Sequence, residues 1–213
     1  MNYSNWSKQA QIARQLYQGE SGKEPFVPDV FEIIEDVFPQ FHAMGGEYLF
    51  DVMSRPGLSL REHSLVIIAT LTAIRFGDPI TGHMNWALNI DISREEVIEV
   101  IMRASQIGGW PSGDEIIRLI KLAYPGYLQE ANNLGSIVSE PRLTVREQIM
   151  ITLAALITNK FMDKAKGYIR WALDNGLSHK EILEVIIQLT PFAGWPTGVE
   201  AIRAAKEAFS SEE

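Results

Sequence analysis

The chain of 213 residues is nearly half apolar and carries 19 basic against 27 acidic residues, a formal net charge of -8 at pH 7. A chain of this length can bury a substantial core. The acidic excess, without a basic cluster, argues against nucleic acid or an anionic membrane surface as a partner, which leaves small molecules and proteins. Because the chain has no cysteine, disulfides, thiolate metal sites and cysteine nucleophiles are excluded.

Two features bear on the cellular location. The first residues are polar and form no apolar segment, which predicts that there is no secretory signal. The longest apolar runs, around 65–74 and 149–157, are much shorter than the roughly 20 residues that cross a bilayer. We therefore expect a soluble, cytoplasmic protein without a membrane partner.

Residues 1–57 read as a helical extension. Residues 6–17 have the pattern of a short polar helix, and 29–53 carries apolar residues at helical spacing. This second pattern is interrupted at Pro39 and at Gly45-Gly46, so we expect breaks there.

After this extension the chain contains one unit twice. The two copies match without a gap at a spacing of 85 residues, as from Trp86 to Trp171, and each ends its third helix in a Gly-Trp-Pro corner. Such a repeat indicates a supersecondary unit that is duplicated and packed against its copy. The predicted organisation is an extension (1–57), a first repeat (58–124), a linker (125–142), a second repeat (143–208) and a tail (209–213).

Each repeat reads as four helices. A capping box begins the first and third helix of each copy, since a hydroxyl residue is followed three positions later by glutamate. The first helix of each copy is apolar nearly all round and should be its buried central helix. No stretch alternates with a period of two, so we predict an all-α protein with no sheet. The four capping boxes are Ser59 with Glu62, Ser93 with Glu96, Thr144 with Glu147 and Ser178 with Glu181.

These motifs resemble the carboxymuconolactone decarboxylase family. The resemblance rests on the stretch from Ser54 to Glu62, on Gly82-His83, on the segment from Ser93 to Val97 and on Gly109-Trp110-Pro111, and the second copy repeats most of it. It implies an all-α fold of two tandem four-helix repeats of the carboxymuconolactone decarboxylase and AhpD-like type. Members with two copies assemble as trimers, so the resemblance also implies a homotrimer.

The resemblance further implies a reaction type. AhpD-like peroxidase reductases have two cysteines ahead of the histidine, and this chain has Phe76 and Pro79 there, with Phe161 and Lys164 in the second copy. Peroxidase chemistry is therefore excluded. The implied activity is that of a cofactor-independent lyase, a decarboxylase or a related isomerase, acting on a small carboxylated lactone or carbonyl compound.

The two copies differ at the residue expected to carry the chemistry. His83 of the first repeat is replaced by Tyr168 in the second, which favours one specialised site per chain. A carboxylate lost next to a conjugated carbonyl leaves an enolate, so the reaction needs no metal or organic cofactor, and His83 is the candidate general acid/base. The alternative is a buried structural histidine bonded to a carbonyl.

Arg75, Arg103, Trp110 and Tyr168 are the candidate substrate-binding residues. Arg103, which stands where the second copy has Gln188, either clamps a substrate carboxylate or forms a salt bridge, and Arg75 has the same two interpretations. Trp110 either walls a pocket or fixes a corner between helices.

The remaining tryptophans and histidines carry structural expectations. Trp195 is predicted to fix a corner between helices, and Trp86 and Trp171, which both copies keep, are predicted to lie in the core. No metal site is expected, since the other histidines lack ligand spacing.

A second functional class stays open, namely a non-catalytic, ring-forming or ligand-binding protein that kept the fold. A catalyst should hold His83 in a concave site with a polar edge, near Arg103 or another cation. A scaffold should bury and hydrogen-bond His83 or expose it fully.

Overall fold

The computed structural model describes residues 7–8, 10–12, 15, 37–77, 80–109, 113–130 and 141–210, and every structural statement below concerns these residues. They contain ten helices with defined bounds and no strand, which confirms the all-α prediction. In chain order the helices are α1 (Pro39–Met53), α2 (Leu60–Ala73), α3 (Ile80–Leu88), α4 (Arg94–Gly108), α5 (Gly113–Ala123), α6 (Tyr127–Glu130), α7 (Val145–Thr158), α8 (Met162–Asp174), α9 (His179–Ala193) and α10 (Trp195–Phe209).

The helix α1 belongs to the predicted extension and packs against α9 and α2. It begins at Pro39, where a missing amide costs nothing, and it runs unbroken through Gly45 and Gly46. The predicted break at the glycines is therefore wrong. A glycine inside a helix costs only about 1 kcal/mol, and burial of Phe50 and Met53 outweighs that cost. The helix predicted over 6–17 lies mostly outside the described residues.

All four predicted capping boxes are present. In each, the hydroxyl of the N-cap residue accepts a hydrogen bond from the amide of the glutamate, and the carboxylate accepts one from the N-cap amide. At Ser59 the second bond, from the amide nitrogen to Glu62 Oε2, is 2.8 Å long. These bonds satisfy amides that a helix start otherwise leaves unpaired, so the local sequence fixes where α2, α4, α7 and α9 begin.

The central helices are α2 and α7, as their all-round apolar pattern predicts. Every residue of α2 from His63 to Thr72 is buried. The helix α2 packs against α4, α7 and α9, and α7 packs against α2, α4, α8 and α9. Threonines within α2 satisfy their hydroxyls inside the helix, since Thr70 Oγ1 donates to the carbonyl of Val66 at 2.7 Å. The two repeats thus share one core around the α2 and α7 pair.

Two arginines join the repeats reciprocally. Arg61 of α2 donates from Nε to Glu147 of the second repeat and from Nη2 to Glu96 of its own repeat, both at 2.6 Å. Arg146 of α7 makes the pseudo-symmetric pair of bonds, to Glu62 at 2.7 Å and to Glu181 at 2.6 Å. A self-complementary contact of this kind is what a two-fold relation between copies produces.

The four glutamates of this network are also the capping-box glutamates. Each uses Oε2 for its N-cap residue and Oε1 for an arginine, so two arginines tie four helix starts together. For Glu181, burial opposes ionisation, but the hydrogen bonds from Arg146 and from the amide and hydroxyl of Ser178 outweigh it and lower the pKa to about 2. Glu181 is therefore ionised at neutral pH.

We predict that Arg61→Lys destabilises the fold although the charge is kept. An ammonium group cannot reproduce the planar fork that reaches two carboxylates, so the variant should lose about 1–2 kcal/mol of unfolding free energy in urea titrations. The control is Arg118→Lys. Arg118 pairs with Glu115, one turn away on the surface, and this variant should lose less than about 0.5 kcal/mol of unfolding free energy. Equal effects at the two sites would contradict a joining role for Arg61.

Only part of the predicted linker is described, because residues 131–140 lie outside the described part of the chain. On its two sides the chain is tied to α4. Tyr127 is buried and its hydroxyl donates to Glu95 at 2.6 Å, and the amide of Arg142 donates to Glu99 Oε2 at 2.9 Å. Residues 211–213 of the tail are likewise outside the described residues. Across the described helices, none combines the length and apolar character that crossing a membrane requires.

Candidate active site

His83 lies on α3, between the two repeats. Its imidazole ring meets Trp86 edge to face, with ring centroids 5.0 Å apart, and it meets Phe192 in the same manner at 5.8 Å. Trp86 follows one turn later on α3, whereas Phe192 lies near the end of α9 in the second repeat. The histidine is only partly buried. Two aromatic walls, one from each repeat, therefore flank an imidazole that solvent still reaches.

The surroundings of His83 keep its ring neutral. Burial lowers the pKa of His83 to about 4, and no charged group in the described chain opposes that shift. Within the same residues the imidazole has its two ring contacts and no hydrogen bond. A histidine with a purely structural role is expected to form a hydrogen bond with a carbonyl group. His83 forms no such bond within the described residues, so the structural interpretation is not supported. At pH 7 His83 presents an unprotonated ring nitrogen and an N–H without a partner.

A buried pair that the sequence analysis did not select lies nearby in the fold. Gln188 stands one turn before Phe192 on α9 and is fully buried. Its Oε1 lies 2.5 Å from Nδ1 of His63 on α2, while its Nε2 is buried without a hydrogen-bond partner. The sequence offers the same signal here as at His83, namely a histidine that the second copy does not keep, because His63 is replaced by Gln148.

The orientation of the Gln188 amide is coupled to the charge of His63. Nε2 of His63 faces the carbonyl oxygen of Arg55 at 3.1 Å, so that nitrogen carries a proton. Nδ1 can donate to Oε1 of Gln188 only if the ring is an imidazolium. Burial lowers the pKa of His63, and the neutral ring favours the amide turned over, with its NH2 group toward Nδ1. In both states one end of the buried amide has no partner, which is costly unless a ligand supplies one.

Arg103 does not accompany His83. It lies on α4. Burial raises the pKa of Tyr168 on α8, and the charge of Arg103 opposes that shift. Nε of Arg103 donates to Glu99 at 2.9 Å, which is the salt bridge of the second interpretation. The structure thus separates the candidate residues into a position around His83 and a pseudo-symmetric position around Tyr168.

Arg75 has a structural explanation. It is exposed and adopts a left-handed conformation, φ 55°, just after α2, and Lys160 does the same, φ 60°, after α7. In the first repeat the amide of Phe76 bonds the carbonyl of Leu71 at 3.0 Å, which terminates the helix as in a Schellman motif. Nη2 of Arg75 reaches the carbonyl of Gly108 only at 3.5 Å. A role in substrate binding stays a prediction, and Trp110 lies outside the described residues.

Two expectations for tryptophans are wrong. Trp171 is 43% exposed although it was predicted to lie in the core, and Trp195, predicted to fix a corner between helices, is 72% exposed. The equivalent Trp86 is covered because Phe50 of α1 packs on it, with ring centroids 5.4 Å apart. The extension precedes only the first repeat, so in the described chain no counterpart of α1 covers Trp171.

The fold and the repeat identify the protein class. The model of the carboxymuconolactone decarboxylase family matches residues 39–121 and 127–207, so the chain belongs to this family. A curated relative, 4-carboxymuconolactone decarboxylase of Acinetobacter baylyi (strain ATCC 33305 / BD413 / ADP1), is 32% identical over 69 residues. These residues are 32% of this chain and 52% of the relative, so the match spans about half of the relative's length.

Proposed function

We propose that the protein is a cofactor-independent lyase or isomerase of the carboxymuconolactone decarboxylase type, with its active site between α3 and α9. The observation that carries the proposal is His83, a partly buried imidazole with aromatic walls and no hydrogen-bond partner in the described chain. A titratable group with a strongly shifted pKa and no structural partner is characteristic of functional sites. Membership of the family supports the reaction type.

The proposed substrate is a small carboxylated lactone or carbonyl compound. Its carbon–carboxylate bond breaks, CO2 leaves, and the electron pair passes into the conjugated carbonyl as an enolate. The imidazolium of His83 then donates its proton to carbon and becomes neutral, and a proton from water restores it. Phe192 and Trp86 exclude water from the departing carboxylate, which favours its conversion to neutral CO2.

Gln188 is the proposed partner for a substrate oxygen. Its buried amide has one end without a partner, and it lies on the turn of α9 that precedes Phe192. A carboxylate or enolate oxygen selects the orientation in which Nε2 faces the substrate and Oε1 faces His63. That orientation favours the imidazolium of His63. The hydrogen bond between Gln188 and His63 would therefore become stronger as negative charge develops on the substrate oxygen.

Substrate binding would also change the charge of His83. With a pKa of about 4, the free protein holds the ring neutral at pH 7. A substrate carboxylate against the ring raises that pKa, because an opposite charge nearby favours the protonated form. The complex would therefore take up a proton that the decarboxylation then consumes.

The direct test is a mass-spectrometric screen of the purified protein against carboxylated lactones and β-keto acids. The expected result is loss of CO2, or rearrangement, for at least one member of the panel at a rate well above the uncatalysed reaction. A panel without turnover, but with one member that binds, would support the alternative of a non-catalytic ligand-binding protein and contradict the proposal.

A homotrimer is the second part of the proposal. The outer side of α10 carries exposed apolar residues on one stripe, since Trp195 is followed two turns later by Ile202, which is 48% exposed. Such residues on a helix already packed against α8 and α9 fit a contact between subunits. We predict that light scattering gives the mass of a trimer. Ile202→Glu should dissociate the trimer, whereas Arg203→Glu, at an exposed neighbouring position, should not. A monomer at micromolar concentration would contradict this part.

A further inference from the structure

We propose that His63 is the positioning residue of Gln188, because the proton on its ring decides whether the buried amide offers its NH2 group or its oxygen to a ligand. The site then prefers an anionic ligand when His63 is charged and a hydrogen-bond donor when His63 is neutral. The place of the ligand, next to Phe192 on α9, is that of the proposed function, on which this selectivity rests.

Both nitrogens of the His63 ring face an oxygen. Nε2 lies 3.1 Å from the carbonyl oxygen of Arg55, and Nδ1 lies 2.5 Å from Oε1 of Gln188. Carbonyl oxygens only accept hydrogen bonds, so both nitrogens must donate, and this arrangement is that of an imidazolium. A neutral ring has one hydrogen and keeps it on Nε2, because the amide of Gln188 can turn over and the backbone carbonyl of Arg55 cannot. Loss of the proton therefore turns the amide.

No other described residue fixes the Gln188 amide. Glu184 lies one turn earlier on α9, but its carboxylate oxygens accept Nε and Nη2 of Arg55 at 2.6 and 2.9 Å. Nε2 of Gln188 has no hydrogen-bond partner in the described chain, although the side chain is fully buried. Either orientation of the amide leaves one end unpaired, and such an end is costly to bury. The orientation thus follows His63, and the unpaired end is available to a ligand.

The groups around His63 act on its proton in opposite directions. Burial has the largest effect and lowers the pKa of His63, whereas the hydrogen bonds to Arg55 and Gln188 and the charges of Glu184 and Glu62 raise it. The ring is therefore neutral at pH 7 and becomes charged at lower pH. The helix α3 carries no carboxylate and no cation. The other helices packed on α2 have their charged side chains in other contacts, namely Glu47 and Asp51 with Ser7, Arg94 with Tyr124, Glu95 with Tyr127, Glu96 and Glu147 with Arg61, Glu99 with Arg103, and Arg146 with Glu62.

The second repeat has a permanent charge at the equivalent place. The counterparts of His63 and Gln188 are Gln148 and Arg103. A guanidinium stays charged at every pH in which the protein is folded, and Nε of Arg103 donates to Glu99 at 2.9 Å. In the first repeat an uncharged amide takes this place and depends on a histidine. The two copies thus differ in kind: one has a fixed cation, and the other has a donor that is exposed to the ligand only with a proton on His63.

The first test uses the free protein with 15N-labelled histidine and glutamine. At neutral pH we expect His63 as the Nε2–H tautomer with the NH2 group of Gln188 bonded to Nδ1. At acid pH we expect the imidazolium with that NH2 group released, so the side-chain signals of Gln188 should follow the titration of His63. Gln188→Leu assigns these signals. His63→Gln should abolish their dependence on pH, and it should fold because glutamine stands at the equivalent position 148.

A hydrogen bond with a purely structural role would keep one amide orientation at every pH. Signals of Gln188 that do not follow His63 would overturn the proposal, and so would a His63 ring that stays neutral until the protein unfolds. The control is His179→Ala, which removes an exposed histidine and should leave the Gln188 signals unchanged.

The second test measures binding of benzoate, with benzamide as the uncharged analogue. His83→Ala is the background, so that the His83 ring cannot take up the proton. An anion facing Gln188 raises the pKa of His63, so the benzoate affinity should rise by up to about tenfold per pH unit as the pH falls from about 8 to about 6. The benzamide affinity should change less than about twofold over this range.

The variant His63→Gln in the same background separates the outcomes, because it should bind benzoate equally at both ends of this pH range. An equal pH dependence with and without His63, or no binding of benzoate up to its solubility limit, would overturn the selectivity. Neither test needs turnover, so failure of the decarboxylation screen would contradict the proposed reaction and leave these results unaffected.

Discussion

His83→Ala is expected to lower kcat/KM about 100-fold or more on any substrate that the wild type decarboxylates. The reason is the loss of the proposed proton donor, and a well-placed general acid contributes about that factor. His83 forms no hydrogen bond or ion pair among the described residues, and its ring contact outside its own helix is with Phe192, so the alanine variant should remain folded. The measurement is initial-rate kinetics with CO2 release, with circular dichroism to verify folding.

Two matched variants keep this result interpretable. His83→Tyr copies the second repeat and retains an aromatic ring without an imidazole, so it should be as inactive as the alanine variant. His179→Ala removes an exposed histidine that stacks on Phe209, with centroids 4.0 Å apart, and should retain full activity. Turnover that survives in both His83 variants would leave an enzyme but reject His83 as its acid.

The dependence of the rate on pH tests the same assignment. Below a pKa of about 4 the free protein carries the imidazolium, and above it the protonated fraction falls tenfold per pH unit. Therefore kcat/KM should decline from about pH 5 to pH 8. Because a bound carboxylate raises the pKa of His83, kcat should stay level to a higher pH. A kcat/KM that rises over this range would contradict the role of general acid.

Gly57→Ala is expected to lower the free energy of unfolding by about 2–3 kcal/mol. A Cβ atom at this position would lie 2.2 Å from Cγ and 2.7 Å from Cδ of Glu184. The carboxylate of Glu184 is nearly buried and receives two hydrogen bonds from Arg55, at 2.6 and 2.9 Å. The methyl group would displace this carboxylate, so the loss of the charge pair adds to the steric cost.

The matched control is the same substitution where the space is open. Gly167 lies within α8, and a Cβ there meets no atom within 4 Å. Gly167→Ala should raise the unfolding free energy by about 0.5–1 kcal/mol, because alanine favours a helix over glycine. Urea titrations of both variants should therefore shift in opposite directions. If Gly57→Ala left the free energy of unfolding unchanged, Glu184 would have room to move and its pairing with Arg55 would contribute little.

The sequence predicted the elements accurately where the determinants are local. Capping boxes such as Ser59 with Glu62 act within one turn, and the all-round apolar pattern of α2 and α7 leaves only a central position for them. The prediction was wrong at Gly45-Gly46, where burial of Phe50 and Met53 later in the same helix outweighs a weak local preference. It was wrong again at Trp171, because an identical residue in two copies has the same place in its repeat but different neighbours.

The candidate site also combines features that the sequence shows with contacts that only the tertiary structure shows. The asymmetry of His83 and Tyr168 could be read directly from the repeat. The aromatic ring that packs on His83 from outside its helix, Phe192, nevertheless comes from the opposite copy. An alignment of the copies cannot show this exchange, since it pairs equivalent residues and not neighbouring ones.

By itself the sequence determined the all-α class, the duplication, the helix starts and the residues at which the copies differ, because periodicity and capping act over a few residues. Only the tertiary structure decided that Gln188 is buried with one amide end unpaired, that α1 covers Trp86 but not Trp171, and that Phe192 packs against His83. These facts depend on how one repeat packs across the other, which brings together side chains far apart in the chain.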